Sequence, residues 1–170
     1  MGKIILSLVL SLGSLMAVEL GKVPVEVEIS GDNGGKLDGS AWHSSMLQGK
    51  LYTVFYVDPD EKDLNDDFAE ALKAKKYDRK KASSVGIINL GATWLPNVLI
   101  ESKLKEKQKR FPSTLYVKDK TKVLVKKWQL EDDNSDILIF DKEGKLIYKH
   151  YGKMSADEIK KAIALIDERL

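Results

Sequence analysis

Apolar residues are spaced in two different periods along this chain. Leu51–Val57 (LYTVFYV) is apolar or aromatic almost throughout and rich in strand formers, the pattern of a strand covered on both faces. Residues 84–90 (SVGIINL) repeat it. Residues 23–29 instead alternate, with Val25, Val27 and Ile29 on one side and Glu26 and Glu28 on the other, which predicts a half-buried strand. Pro24 within it points to a sheet edge. Gly31-Asp32-Asn33-Gly34-Gly35 carries turn chemistry, and residues 41–48 (AWHSSMLQ) predict a short helix or turn.

After Val57 the period lengthens. Leu64, Phe68, Ala71 and Leu72 share one helical face, predicting a helix from about Glu61 to Lys75 that is acidic at its start and basic at its end, as the helix dipole favours. Pro96 opens a second helix carried by Leu99, Ile100 and Leu104 and ended by Phe111-Pro112. Residues 114–118 and 123–128 are strand-like. Residues 137–140 and 145–151 flank Asp141-Lys142-Glu143-Gly144 as a hairpin. Ser155 and Glu158 form a capping box before a terminal helix with Ile159, Ala162, Ile163 and Ile166 on one face. This order predicts an α/β fold, a mixed central β-sheet with helices on both faces.

The chain has 170 residues, 43% hydrophobic and 32% charged, enough for one globular domain with its own core. Its net charge of +2 creates no field of one sign, and no aromatics interleave its lysines as a nucleic-acid groove requires, so a nucleic-acid partner is not expected. Lys3, the apolar run Ile4–Met16 and Ala17 match the positive, apolar and cleavage regions of a signal peptide. The run is short of the roughly 20 residues that span a bilayer. The expected organisation is a signal peptide over 1–17 and a single domain over 18–170. Membrane contact is expected only if the signal segment stays uncleaved, and the expected location is the periplasm. Exported small proteins often carry disulfides, but this sequence has no cysteine.

Residues 47–57 (LQGKLYTVFYV) and 137–146 (ILIFDKEGKL) resemble the lead strand and final hairpin of thioredoxin-like proteins. Trp128-Gln129-Leu130, the acidic stretch with Ser135, the Asp141–Gly144 hairpin and Val85–Asn89 are similar to the YtfJ family of exported bacterial proteins. That resemblance implies a thioredoxin-like fold without the redox cysteines, in an exported compartment, and implies no particular reaction. Asp58-Pro59-Asp60-Glu61 stands at the strand-to-helix corner where redox relatives hold cysteines, and Asn134-Ser135-Asp136 stands where they hold a cis-proline. Thiol–disulfide exchange needs a thiolate, so it is excluded.

Two acidic loops remain as candidate chemistry. The resemblance brings corner residues Asp58, Asp60, Glu61 and Asp63 beside Glu131, Asp132, Asp133 and Asp136. One reading is a binding surface for an unknown protein or small ligand, with no catalytic residue and no cofactor. The alternative is a cysteine-free enzyme or divalent-metal-dependent factor using the same acids. Helix capping and plain solvated charge would also account for them. His43 and His150 are expected to be structural or surface residues. Amino-terminal sequencing of the mature protein should begin at or within a few residues of Val18; intact Met1 in a cytoplasmic fraction would refute export.

Overall fold

The computed structural model describes residues 17–170, apart from the side chains of residues 97, 98 and 101; the signal-peptide expectation over residues 1–16 lies outside it. Twelve regular elements follow in order: β1 (Glu28–Ile29), β2 (Gly34–Lys36), β3 (Trp42–His43), β4 (Leu51–Val57), α1 (Asp66–Lys75), β5 (Ala82–Asn89), α2 (Asn97–Arg110), β6 (Thr114–Asp119), α3 (Val123–Trp128), β7 (Ser135–Phe140), β8 (Leu146–Tyr151) and α4 (Ala156–Arg169). Six strands form one sheet in the order β2-β6-β5-β4-β7-β8. β4, β5 and β6 are parallel, and β7, β8 and β2 run antiparallel to their neighbours. This is the expected mixed sheet. β1 and β3 pair separately as a two-stranded ribbon. Among the described residues no helix is long and apolar enough to cross a membrane.

Side-chain alternation sorts the core into layers. Val54, Tyr56, Val85, Ile87, Val117, Leu138 and Phe140 face α3 and pack with Leu124 and Trp128. Leu51, Ile137 and Ile139 face the other way, against Phe68 of α1 and Ala162 and Ile166 of α4. α2 covers the rest of that second face with Ile100 and Leu104 over Tyr116. Phe55 and Ile88 point to the same side and are only half-buried, because the helices above them do not close fully on the sheet.

Four expectations change. Residues 123–128 form helix α3 and not a strand. Asp119, at the end of β6, turns its carboxylate onto the amides of Val123 and Leu124 at 2.9 and 3.0 Å, capping a helix that β-branched residues would not favour alone. Leu124 and Trp128, one turn apart, then bury on one face. Gly34-Gly35, expected as turn, belongs to edge strand β2. Gly34 has φ +124°, and a Cβ there would stand 1.8 Å from the Lys118 carbonyl oxygen, so only glycine permits this approach to β6. Of the predicted strand 23–29, only Glu28–Ile29 is paired; Val25 is half exposed while Val27 and Ile29 are buried. The first predicted helix also starts late. A 3-10 turn at Pro59–Glu61 comes first and α1 begins at Asp66.

Asp119 also accepts from the buried Tyr56 hydroxyl at 3.2 Å. Asp119→Ala should therefore remove a helix cap and orphan a buried phenol together, costing roughly 2–4 kcal/mol in urea denaturation. Asp119→Asn should cost clearly less. Equal losses for the two variants would refute the capping account.

Candidate functional site

The corner and the loop before β7 do lie side by side. β4 and β7 pair from Tyr52↔Phe140 to Val57↔Ser135, and the ladder continues as the Asp58 amide donates to the Asn134 carbonyl at 2.8 Å. Asp58 Oδ1 accepts from the Asp60 amide at 2.8 Å, and Pro59 supplies the first residue of the 3-10 turn. Asp58 is thus a local turn former that the fold has also buried. Burial pushes its carboxyl above the usual range; the Asp60 amide opposes the shift, and the Asp60 and Asp133 carboxylates reinforce it.

Asn65, buried just before α1, brackets the corner. Its Nδ2 donates to Ser135 Oγ at 3.0 Å and to the Gly152 carbonyl at 2.9 Å, and its Oδ1 accepts from the Met154 amide at 2.9 Å. One side chain thereby joins the start of α1, the head of β7 and the lead into α4. Every peptide bond described is trans, including those through Asn134-Ser135-Asp136.

On the α3 side, Tyr56, Asn89, Asp119 and Asp136 form a buried polar layer at the carboxyl ends of the parallel strands. Asn89 Nδ2 donates to Asp132 Oδ1 at 2.8 Å. Asp136 Oδ2 accepts from the Glu131 amide at 2.8 Å. Among the described residues, Asn89 Oδ1 and Asp136 Oδ1 are buried acceptors without a hydrogen-bond partner. Burial raises the Asp136 carboxyl to about 7; the Glu131 amide opposes that rise and the Glu131 carboxylate adds to it. Desolvation therefore leads at Asp58 and Asp136, and like-charge repulsion is the smaller cause.

The eight predicted acids do not form a single cluster. Asp58, Asp60 and Asp133 adjoin one another. Asp132 is ion-paired to Lys122. Although burial would raise the Asp132 carboxyl, the hydrogen bonds from Lys122 and Asn89 outweigh it and hold the group below its usual value. Glu131 takes a hydrogen bond from Asn134, and Glu61 stays at the turn. Asp63 turns away to Lys62 and, at 3.5 Å, to Lys107 of α2. Lys122 is one of the residues that sequence reasoning missed. It holds a left-handed backbone conformation at φ +58°, and its ammonium answers Asp132 first and then the charges of Asp133 and Asp58. Among the described residues no three acidic or histidine side chains converge to hold a metal ion, and the position facing these acids already holds the Lys122 cation. Asn65, Asn89 and Tyr56 were also missed. Their only signal is a polar group at the end of an apolar strand or in a turn. The two histidines are at or near the surface, each beside a glutamate, Glu28 for His43 and Glu158 for His150.

Six-stranded topology, the strand-to-helix corner and the partner loop together define a thioredoxin-like fold, here with no cysteine in the sequence and no cis peptide bond among the described residues. Residues 18–169 match the family model described as "Bacterial protein of unknown function (YtfJ_HI0045)", and the chain belongs to that family. It is 23% identical over 133 residues to the uncharacterized protein YtfJ of Escherichia coli, covering 76% of this chain and 72% of that one. It is 26% identical over 129 residues to an uncharacterized protein of Haemophilus influenzae, covering 74% and 70%. Among solved structures it resembles the exposed lipoprotein thioredoxin Etrx1 of Streptococcus pneumoniae, with a TM-score of 0.54, 18% identity, and coverage of 82% of this chain and 98% of that one.

Asp136 makes the fold's pH dependence a test of this geometry. Its folded value of about 7 lies above its unfolded value of 3.8, so the folded state binds the extra proton. The resulting stability is fully present below pH 3.8 and is lost as pH rises through 7. The Glu131 charge acts on it, and the hydroxyls of Tyr56 and Tyr151 feel its charge in turn. Asp136→Asn should flatten the decline between pH 4 and 7 and raise stability at pH 8 by roughly 2–4 kcal/mol, read from denaturant midpoints. An unchanged pH profile would show that Asp136 is ionised and solvated in the fold.

Proposed function

We propose that this protein is an exported, periplasmic binding module of thioredoxin-like fold that has no redox role. Its ligand or protein partner would meet the corner formed by Asp58, Asp60 and Glu61 with Glu131, Asp132, Asp133 and Asp136. The observation that carries the reading is the pair of buried acceptors, Asn89 Oδ1 and Asp136 Oδ1, that the fold leaves without donors beneath an acidic rim. An unpaired buried acceptor costs free energy, and since both oxygens are sealed from solvent, a partner would relieve that cost by opening the corner to admit a donor or a water. Export is supported by the residues before Val18 and by the likeness to an exposed lipoprotein thioredoxin.

The second reading, a cysteine-free enzyme or metal-dependent factor, draws on the raised carboxyl of Asp136, since perturbed acids gather at working sites. If millimolar calcium or magnesium leaves the melting temperature unchanged, its metal arm fails.

Immobilised wild-type protein and Asp58→Asn/Asp136→Asn protein, each checked for native melting, should be incubated with periplasmic extract at pH 8 and pH 5.5. The expected result is a species retained by the wild type at pH 8 and lost both in the double variant and at pH 5.5, where Asp136 is protonated. Identical retention in all conditions would overturn the assignment of the corner.

A further inference from the structure

A cavity of about 460 Å³ lies between the sheet and helices α1 and α2. The sequence of β5 creates it. Its cavity-side residues are Ala82, Ser84, Gly86 and Ile88, three of them too small to reach the helices, and Thr53 and Thr114 flank them on β4 and β6. Gly86 is required here because a Cβ would stand 2.9 Å from the Tyr116 ring, which lies across the floor. The roof is held chiefly by charge. Lys107 and Arg110 of α2 reach Asp66 at 2.8 and 2.9 Å, and Arg110 reaches Glu70 at 2.6 Å. The ion pairs hold the helices together without filling the space beneath them.

The hollow follows β4 from Leu51 to Val57, about 20 Å of strand. Its walls include Phe55, Leu72, Ile88, Leu95, Ile100 and Leu104, so the interior suits an apolar chain more than a compact polar metabolite. Its charged lining is lopsided: Lys62, Lys73, Lys76, Arg79, Lys103 and Lys107 against Asp58 and Asp66. Lys107 is taken by Asp66, Lys62 by Asp63, and Lys73 by Glu70 and the Phe111 ring. Lys76, Arg79 and Lys103 are exposed and make no ion pair among the described residues. Lys76 and Arg79 follow α1, beside the Leu51 and Ala82 end of the cavity.

We infer that this cavity binds a single-chain anionic amphiphile of the fatty-acid type, its carboxylate at Lys76 and Arg79 and its alkyl chain under α1 and α2. Of the acids proposed above as the partner surface, this site shares only Asp58, and its lining polarity, charge and shape would stand if that surface bound nothing.

Calorimetric titration of the full protein with decanoate, dodecanoate and tetradecanoate, below their critical micelle concentrations, tests the assignment. Saturable one-to-one binding is expected, tightening about fourfold per methylene, equivalent to about 0.8 kcal/mol. The matching alkyltrimethylammonium should bind at least tenfold more weakly. Lys76→Glu/Arg79→Glu, both on the surface, should weaken dodecanoate at least tenfold, and added salt should weaken it in the same direction. Ser84→Leu should fill the hollow, abolish binding and leave the melting temperature equal or higher. Equal affinity for both headgroup charges, a Ser84→Leu protein that is folded and still binds, or binding confined to anionic vesicles with none to monomeric dodecanoate would each overturn the inference. A Ser84→Leu protein that fails to fold leaves the charge-reversal pair to decide, because those side chains lie outside the core. Failure here would not touch the corner, whose double variant keeps the whole cavity lining except Asp58.

Discussion

Strand β4 is hydrogen-bonded along both edges, to β5 in parallel and to β7 antiparallel, so its side chains can differ only by face. Val54 and Tyr56 go to the α3 layer, while Leu51, Thr53, Phe55 and Val57 go to the side of α1 and α2. A slip of one residue would exchange the two sets and drive Tyr56 away from Asp119. The close-packed half of the core and the hollow half both follow from this alternation. Even positions meet Trp128, Phe140 and Leu124, large side chains that fill the layer, and odd positions meet a strand built of alanine, serine and glycine. The same register carries Asp58 against Asn134 and so fixes the corner.

Buried polar groups then decide where the fold is specific. Asp119 accepts from two helix amides and a phenol, and Asn65 makes three bonds to two other segments, so each polar side chain is repaid at several points. Asn89 and Asp136 differ from them. Each satisfies one atom and leaves one oxygen buried without a donor. The contrast within one layer distinguishes groups that hold the structure from groups that the structure holds at some cost. Lys122, Gln129 and Asp133 all take left-handed conformations in the segments around this layer, which adds backbone strain of order 1 kcal/mol or more each at the same place.

Much of the fold was legible in the sequence because hydrophobic period is a direct consequence of burial. The runs at 51–57 and 84–90, the hairpin around Asp141–Gly144 and the Ser155 capping box all appear where the pattern places them. The failures share a cause in contacts distant along the chain. Val123–Trp128 has strand-like composition, and only the Asp119 carboxylate at its head makes a helix of it. Gly34-Gly35 looks like a turn because no local signal tells of the Lys118 carbonyl beside it. Phe55 and Ile88 have the composition of core residues, yet they are half-buried because the residues opposite them are small and α2 is mostly polar. At the corner, the expected adjacency of the two acidic loops is present, with the Asp58 amide on the Asn134 carbonyl. Counting acids could not show that Lys122 stands among them, or that Asp63 faces away toward Lys107.

The corner differs from a thiol site in more than its lack of cysteine. A reactive cysteine gains from the positive end of a helix directly after the strand. Here a 3-10 turn and residues 62–65 intervene, and α1 starts only at Asp66, whose carboxylate lies at the helix's own positive end and is engaged by Lys107 and Arg110. That end is therefore spent on an internal anion and on tying α1 to α2. Asn65 fastens the opposing loop, whose peptide bonds are all trans. The corner is an acid-rimmed junction with its own cation, and α1 serves as half of the salt-bridged roof over an open apolar cavity.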